Sequence, residues 1–98
     1  MTINKTRNGN ALTVALKGRL DTTTAPELEK EFMTCLDGVE DLTLDLSELG
    51  YISSAGLRVL LTTHKVMGKQ GSMKLTNVNE IVMEVFEVTG FADILTIE

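Results

Sequence analysis

The sequence predicts a mixed α/β (α+β) fold, with an N-terminal antiparallel hairpin and about three helices packed against one β-sheet. Three observations predict it. Two strand-like stretches flank an Asn-Gly turn near the N-terminus, three later segments repeat apolar residues at helical spacing, and short alternating stretches separate those segments. The 98 residues, 43% of them hydrophobic, are enough for a single domain spanning 1–98 with one buried core.

The hairpin is predicted from the first 20 residues. Ile3–Arg7 favours a strand, and Asn8-Gly9-Asn10 favours a tight turn because Asn and Gly tolerate positive φ. From residue 12 to residue 16, leucine and valine alternate with other side chains, which is the period of a strand with one buried face. Gly18–Asp21 interrupts this alternation.

The first helix is predicted to begin near Thr24. Thr24 can cap the helix, Glu27 can reach back to it, and Pro26 is tolerated in the first turn. Gly38 is well placed to end the helix. The apolar face repeats at a spacing of four residues, at Leu28, Phe32 and Leu36.

The middle of the chain predicts a strand, a loop and a second helix. Leu42–Leu46 alternates as a strand does, with Val39 near its start, and Ser47–Ile52 is interpreted as a loop. A helix then runs from Ser53-Ser54 toward Gly71. Its apolar residues at helical spacing are Leu57, Leu60, Leu61 and Met67.

The last third predicts a strand, a third helix and a final short strand. Met73–Thr76 favours the strand, and Asn77 or Asn79 can cap the helix. Gly90 is placed to end that helix, and Ile94–Ile97 favours a last strand. The strand–helix–strand connections are expected to be right-handed and the strands they join parallel.

The composition excludes several functional classes. A net charge of −5 and a pI of about 4.8 argue against binding to nucleic acid or to an anionic membrane surface. No apolar stretch is long enough for a membrane span, and the N-terminus has no signal-peptide pattern, so we expect a cytoplasmic protein. With Cys35 and His64 as the only residues of their kinds, neither a disulfide nor a metal site is expected, and no cofactor motif is present.

The segment that could carry function is the start of the second helix. Ser53 and Ser54 follow a loop, and a helix N-terminus offers free N–H groups and a positive dipole end that accommodate a phosphate. The pattern alone favours helix capping, without further function, as the role of one of the two serines. Gly56 is unusual in a first helical turn, and it suits close approach by another backbone or by a partner.

Two motifs carry a resemblance to a known family. Asp45-Leu46-Ser47 followed by Ser54-Ala55-Gly56-Leu57, together with Gly18-Arg19-Leu20-Asp21, resembles the STAS domains of bacterial anti-sigma factor antagonists. The spacing of the two motifs and the order of elements also match, so the resemblance covers nearly the whole chain. It implies a protein-binding regulator of transcription through a sigma factor, and not an enzyme.

The resemblance implies partners and residue roles. The partner would be an anti-sigma factor that is also a serine kinase; it would phosphorylate Ser54 and so break the complex, and a PP2C-type phosphatase would restore it. Asp21 matches the acidic residue near the phosphorylation site, and Asp45 matches the polar residue that ends the third strand. Where the family usually has Asp before the accepting serine, this chain has Ser53, which could accept the phosphate instead.

Two alternatives remain beside this interpretation. A STAS subunit without phosphorylation could scaffold a lipid-transport ATPase or a stress-sensing assembly. A small hydrolase using Ser54 would need His64 as its base, about 15 Å further along the helix axis, which is too far for a hydrogen bond.

The oligomeric state is left open. The residues expected to contact the partner are Asp21, Thr22, Thr23, Ser53, Ser54, Ala55, Gly56, Leu57 and Arg58.

Overall fold

The computed structural model describes the chain from Met1 to Glu98 and confirms the predicted fold class. It contains four strands, three α-helices and a short 3-10 helix. In chain order these are β1 (Thr2–Asn8), β2 (Ala11–Leu20), α1 (Ala25–Cys35), β3 (Asp41–Ile52), α2 (Ser54–Gln70), β4 (Ser72–Thr76), α3 (Glu80–Thr89) and the 3-10 helix (Phe91–Asp93).

The four strands form one sheet in the order β1-β2-β3-β4. β1 and β2 are the antiparallel hairpin, and the pairs β2–β3 and β3–β4 are parallel, as predicted. Along β3, Leu42, Leu44 and Leu46 are fully buried, whereas Thr43 and Asp45 between them are only half-buried. The sheet therefore has one face against the core and one polar face, which is the pattern that period-two alternation encodes.

β2 and β3 are both longer than the sequence indicates. The prediction of a loop at Ser47–Ile52 is wrong, because the two strands remain paired as far as Leu20 opposite Ile52, and β2 ends within the Gly18–Asp21 motif. Register shifts accommodate the interrupted alternation, one of them beside Gly18, whose φ of +107° suits glycine. The extended pairing buries both Leu20 and Ile52.

The C-terminal region differs from its prediction. Instead of a last strand, Phe91–Asp93 forms the 3-10 helix, and Ile97 makes a single parallel bridge to Leu75. The start of α3 is as predicted, since the Asn79 side chain accepts a hydrogen bond of 2.9 Å from the Val82 N–H. Two backbone hydrogen bonds make the bridge to β4, from the Leu75 N–H to the Thr96 carbonyl and from the Glu98 N–H to the Leu75 carbonyl, each 2.8 Å long.

α2 ends in close contact with the backbone that leads into β3. The N–H of Ser72 donates to the carbonyl oxygen of Glu40 at 2.9 Å, immediately after Gly71. A Cβ on Gly71 would lie 1.8 Å from the Glu40 oxygen, whereas a Cβ on Gly68, one turn earlier, would meet nothing within 4 Å. Gly71 is therefore required by close packing, and Gly68 is not.

Candidate functional site

The candidate site is built around the two serines that begin α2. Ser53 is the N-cap residue; its N–H donates to the Leu20 carbonyl at 2.9 Å, and its own carbonyl accepts from the Leu57 N–H at 3.0 Å. The sequence predicts a capping side chain here, but neither serine hydroxyl makes a capping bond. The hydrogen bond between the start of α2 and the end of β2 is therefore made by backbone atoms.

The two serine hydroxyls differ in their access to solvent. The Ser53 Oγ atom is buried and has no hydrogen-bond partner, whereas Ser54 is exposed. Arg58, one helical turn after Ser54, is also exposed, and no acidic residue lies in the first turn of α2. An enzyme approaching from solvent therefore meets the Ser54 hydroxyl first, in a setting that favours negative charge.

Gly56 allows the start of α2 to pack directly on the strand ends. A Cβ at this position would lie 2.6 Å from Leu20 Cγ and 3.0 Å from Ile52 Cγ1. The expected close approach is present, but it is made by side chains of the same chain. The sequence also predicts Gly56 and Leu57 at the partner surface; both are buried, because they face the core, so they position the surface without forming it.

Asp21 organises the turn that lies beside the start of α2. Its Oδ1 atom accepts from the Thr23 N–H at 3.0 Å, the Thr23 hydroxyl at 2.7 Å and the Thr24 N–H at 3.2 Å. The sequence predicts Thr24 as a side-chain cap of α1, but its hydroxyl instead accepts from the Asp21 N–H and donates to the Arg19 carbonyl. No side chain caps α1: the N–H of Ala25, its first residue, donates to the main-chain carbonyl of Asp21 at 2.8 Å, while the Asp21 carboxylate holds the two residues before the helix.

The electrostatics of this turn hold Asp21 in its charged form. Hydrogen bonds from the Thr23 hydroxyl and the Thr23 N–H lower the pKa of Asp21 below its ordinary value. Arg19 Nε also lies 3.7 Å from the carboxylate, and its guanidinium stacks 4.3 Å from the centre of the Tyr51 ring. Sequence reasoning placed Arg19 in a motif but missed this stack, which depends on the extended pairing of β2 with β3.

The family model of the STAS domain matches residues 2–98. The chain belongs to the STAS domain family. The anti-sigma-B factor antagonist of Bacillus subtilis (strain 168) is 35% identical to it over 92 residues, covering 93% of this chain and 84% of the relative.

Two solved structures share the fold of this STAS domain. The anti-sigma factor antagonist SpoIIAA in its unphosphorylated form superimposes with a TM-score of 0.84 at 17% identity, covering 99% of this chain and 88% of the other. The Bacillus cell fate determinant SpoIIAA in the phosphorylated form gives a TM-score of 0.76 at 16% identity, covering 99% and 91%. No helix of the STAS domain is both long and apolar enough to cross a membrane.

Asp45 does not end β3 as the motif predicts, because the STAS domain continues this strand to Ile52. Its Oδ1 atom accepts from the Ser47 N–H at 3.0 Å and from Asn77 Nδ2 at 3.2 Å. The first of these bonds is the main cause of a lowered pKa of Asp45. Asp45 therefore fastens β3 to the segment that follows β4, at the point where the β3–β4 pairing stops.

An Asp21→Asn variant of the STAS domain should show a pH-dependent loss of stability. A carboxyl group with a lowered folded pKa stabilises the protein above its unfolded pKa of about 3.9, and this stabilisation is lost as the pH falls through the lower folded value. We expect a lower Tm than wild type at pH 7 and a difference that shrinks below about pH 4. Thermal unfolding followed by circular dichroism at several pH values tests this; a Tm difference that is independent of pH would contradict it.

Proposed function

We propose that this STAS domain is an anti-sigma factor antagonist that is switched off by phosphorylation of Ser54. The supporting observation is the contrast between the exposed Ser54 and the buried Ser53 hydroxyl at the start of α2. In the unphosphorylated state the domain binds an anti-sigma factor that is also a serine kinase, which releases the sigma factor. A PP2C-type phosphatase returns the modified domain to the binding state.

The proposed partner surface combines the start of α2 with the turn that precedes α1. Thr22, Thr23, Ser54 and Arg58 are exposed, and Asp21, Ser53 and Ala55 are half-buried. The bond from the Ser53 N–H to the Leu20 carbonyl holds the two segments together. This surface is small and closely spaced, so one added phosphate changes the charge of most of it.

The proposed switch follows from the location of Ser54. The N-terminus of α2 tolerates a phosphate within the free domain, because the helix dipole and Arg58 favour negative charge there. In the complex, the same phosphate adds about −1.5 to −2 charges to the interface and must lose its water shell. The modification therefore weakens the complex far more than it affects the folded domain.

Peptide mass spectrometry tests the modification. The protein is purified from its native host with phosphatase inhibitors during growth, starvation and stress. We expect the phosphate on Ser54, because only that hydroxyl is open to solvent. A phosphate on Ser53 instead would contradict the assignment of the residue.

A scaffold role is the second candidate, and one observation favours it. Ser53 stands where the family usually has a carboxylate, so a kinase that reads that charge would not recognise this site. The STAS domain would then act as an unmodified subunit of a larger assembly. Absence of phosphate from both serines under all three conditions would favour this role over the switch.

A further inference from the structure

A groove runs between α1 and α2. It encloses about 280 Å³, and its floor is formed by buried Phe32 and Val59 with Leu36 at one end. Met33 and Val66 form its two lips, with exposed fractions of 79% and 41%. An exposed methionine beside an apolar floor is costly to leave in water, so this groove has the character of a contact surface.

The groove continues to the proposed switch site. A second depression of about 360 Å³ shares Glu29, Met33 and Val59 with the first. Its far end is lined by Thr22, which belongs to the turn beside α2, and by Ala55 and Arg58 of α2 itself. A partner that covers Ser54 is therefore already at the open end of the groove.

The charged side chains along the groove indicate which side chains a bound partner segment should carry. In the first part, the only charged side chains in the lining are the carboxylates Glu29 and Asp37. In the part nearer Ser54, Lys30 and Arg58 join Glu29. A fitting segment carries apolar side chains for the floor and a lysine or arginine over the two carboxylates.

We propose that the anti-sigma factor that reads Ser54 also inserts a segment of apolar side chains, flanked by Lys or Arg, into the α1–α2 groove. The inference rests on the proposed function, and it adds a second contact that carries affinity and partner choice. Burial of apolar surface in the groove contributes affinity for the partner, and the phosphorylation state of Ser54 decides whether the complex forms. A second copy of this chain is a poorer occupant, because two copies that each carry a net charge of −5 repel each other.

Met33→Lys tests the groove, with Val88→Lys on α3 as the matched control. The two side chains are 79% and 81% exposed, and each new lysine follows a glutamate by four residues, Glu29 or Glu84. Such a pair supports a helix, so both variants should fold. Val88 lines neither part of the groove. Val66→Lys, on the other lip, is the second test variant.

The measurement is the Kd of each unphosphorylated variant for the purified host kinase that phosphorylates Ser54, with Ser54→Asp in the same series. We expect Met33→Lys and Val66→Lys to bind at least about tenfold more weakly than wild type, and Val88→Lys to bind within about twofold of it. The inference about the groove would be overturned if Ser54→Asp loses affinity but both groove variants bind as tightly as wild type. It would also be overturned if Val88→Lys loses as much affinity as the groove variants do. Equal binding by Ser54→Asp and wild type would instead overturn the proposed function itself.

Discussion

Ser54→Asp should weaken binding of the anti-sigma factor by about 100-fold, whereas Ser54→Ala should bind at least as tightly as the unmodified protein. A charge that is buried in an interface without a paired group costs several kcal/mol, and a 100-fold change corresponds to about 2.7 kcal/mol. Ser54 is exposed at the start of α2, so the aspartate should leave the fold intact. Isothermal titration calorimetry with the purified partner measures both constants.

Ser53→Ala is the matched control for this pair of variants. Ser53 belongs to the proposed partner surface, but its hydroxyl is buried and has no hydrogen-bond partner, so removal of this one atom takes away no bond and should leave both stability and partner binding near wild-type values. The variant should also accept phosphate on Ser54 at the normal rate. Indistinguishable affinities of Ser54→Ala and Ser54→Asp would contradict the switch.

Gly71→Ala should lower the free energy of unfolding by about 3 kcal/mol or more. The new Cβ would lie 1.8 Å from the carbonyl oxygen of Glu40, and a backbone atom cannot rotate away as a side-chain end can. Relief requires the end of α2 to separate from the segment that leads into β3, and overpacking of this kind costs about 1–3 kcal/mol even where side chains can adjust. Urea unfolding measures the change.

Gly68→Ala provides the opposite outcome in the same helix. Its Cβ would meet no atom within 4 Å, and alanine is favoured over glycine inside a helix by about 1 kcal/mol. We therefore expect a modest gain in stability from Gly68→Ala beside the large loss from Gly71→Ala. Similar changes in the two variants would show that helix propensity, and not the contact with Glu40, controls this region.

Patterns of neighbouring residues in the sequence correctly predicted the turn, the helices and the helix cap that depend on contacts between residues close together in the chain. The Asn8–Asn10 turn, the helical spacing in α2 and the Asn79 cap of α3 all depend on residues close together in the chain, and the structure confirms them. The lengths of β2 and β3 could not be predicted in this way. They depend on pairing between residues 19–20 and 51–52, which are distant in sequence and reach their partners through register shifts.

The site was predictable to a similar extent. Periodicity and the paired serines indicated a helix N-terminus, and the family resemblance directed attention to Ser54. The difference in access between Ser53 and Ser54 depends on the packing of α2 against Leu20, which no local pattern reports. Likewise, Thr24 is suited to capping α1, and only the three-dimensional turn shows that its hydroxyl bonds to Asp21 and Arg19 instead.

The contact of Gly56 with Leu20 and Ile52 has a consequence for the speed of signalling. Because Gly56 has no side chain, α2 packs directly on the side chains of Leu20 and Ile52 and has little space in which to tilt or slide. We therefore expect a domain phosphorylated on Ser54 to keep the shape of the unmodified one and to need no refolding before it is released or bound again. Under this arrangement the response time of the switch is set by the kinase, the phosphatase and the dissociation of the complex.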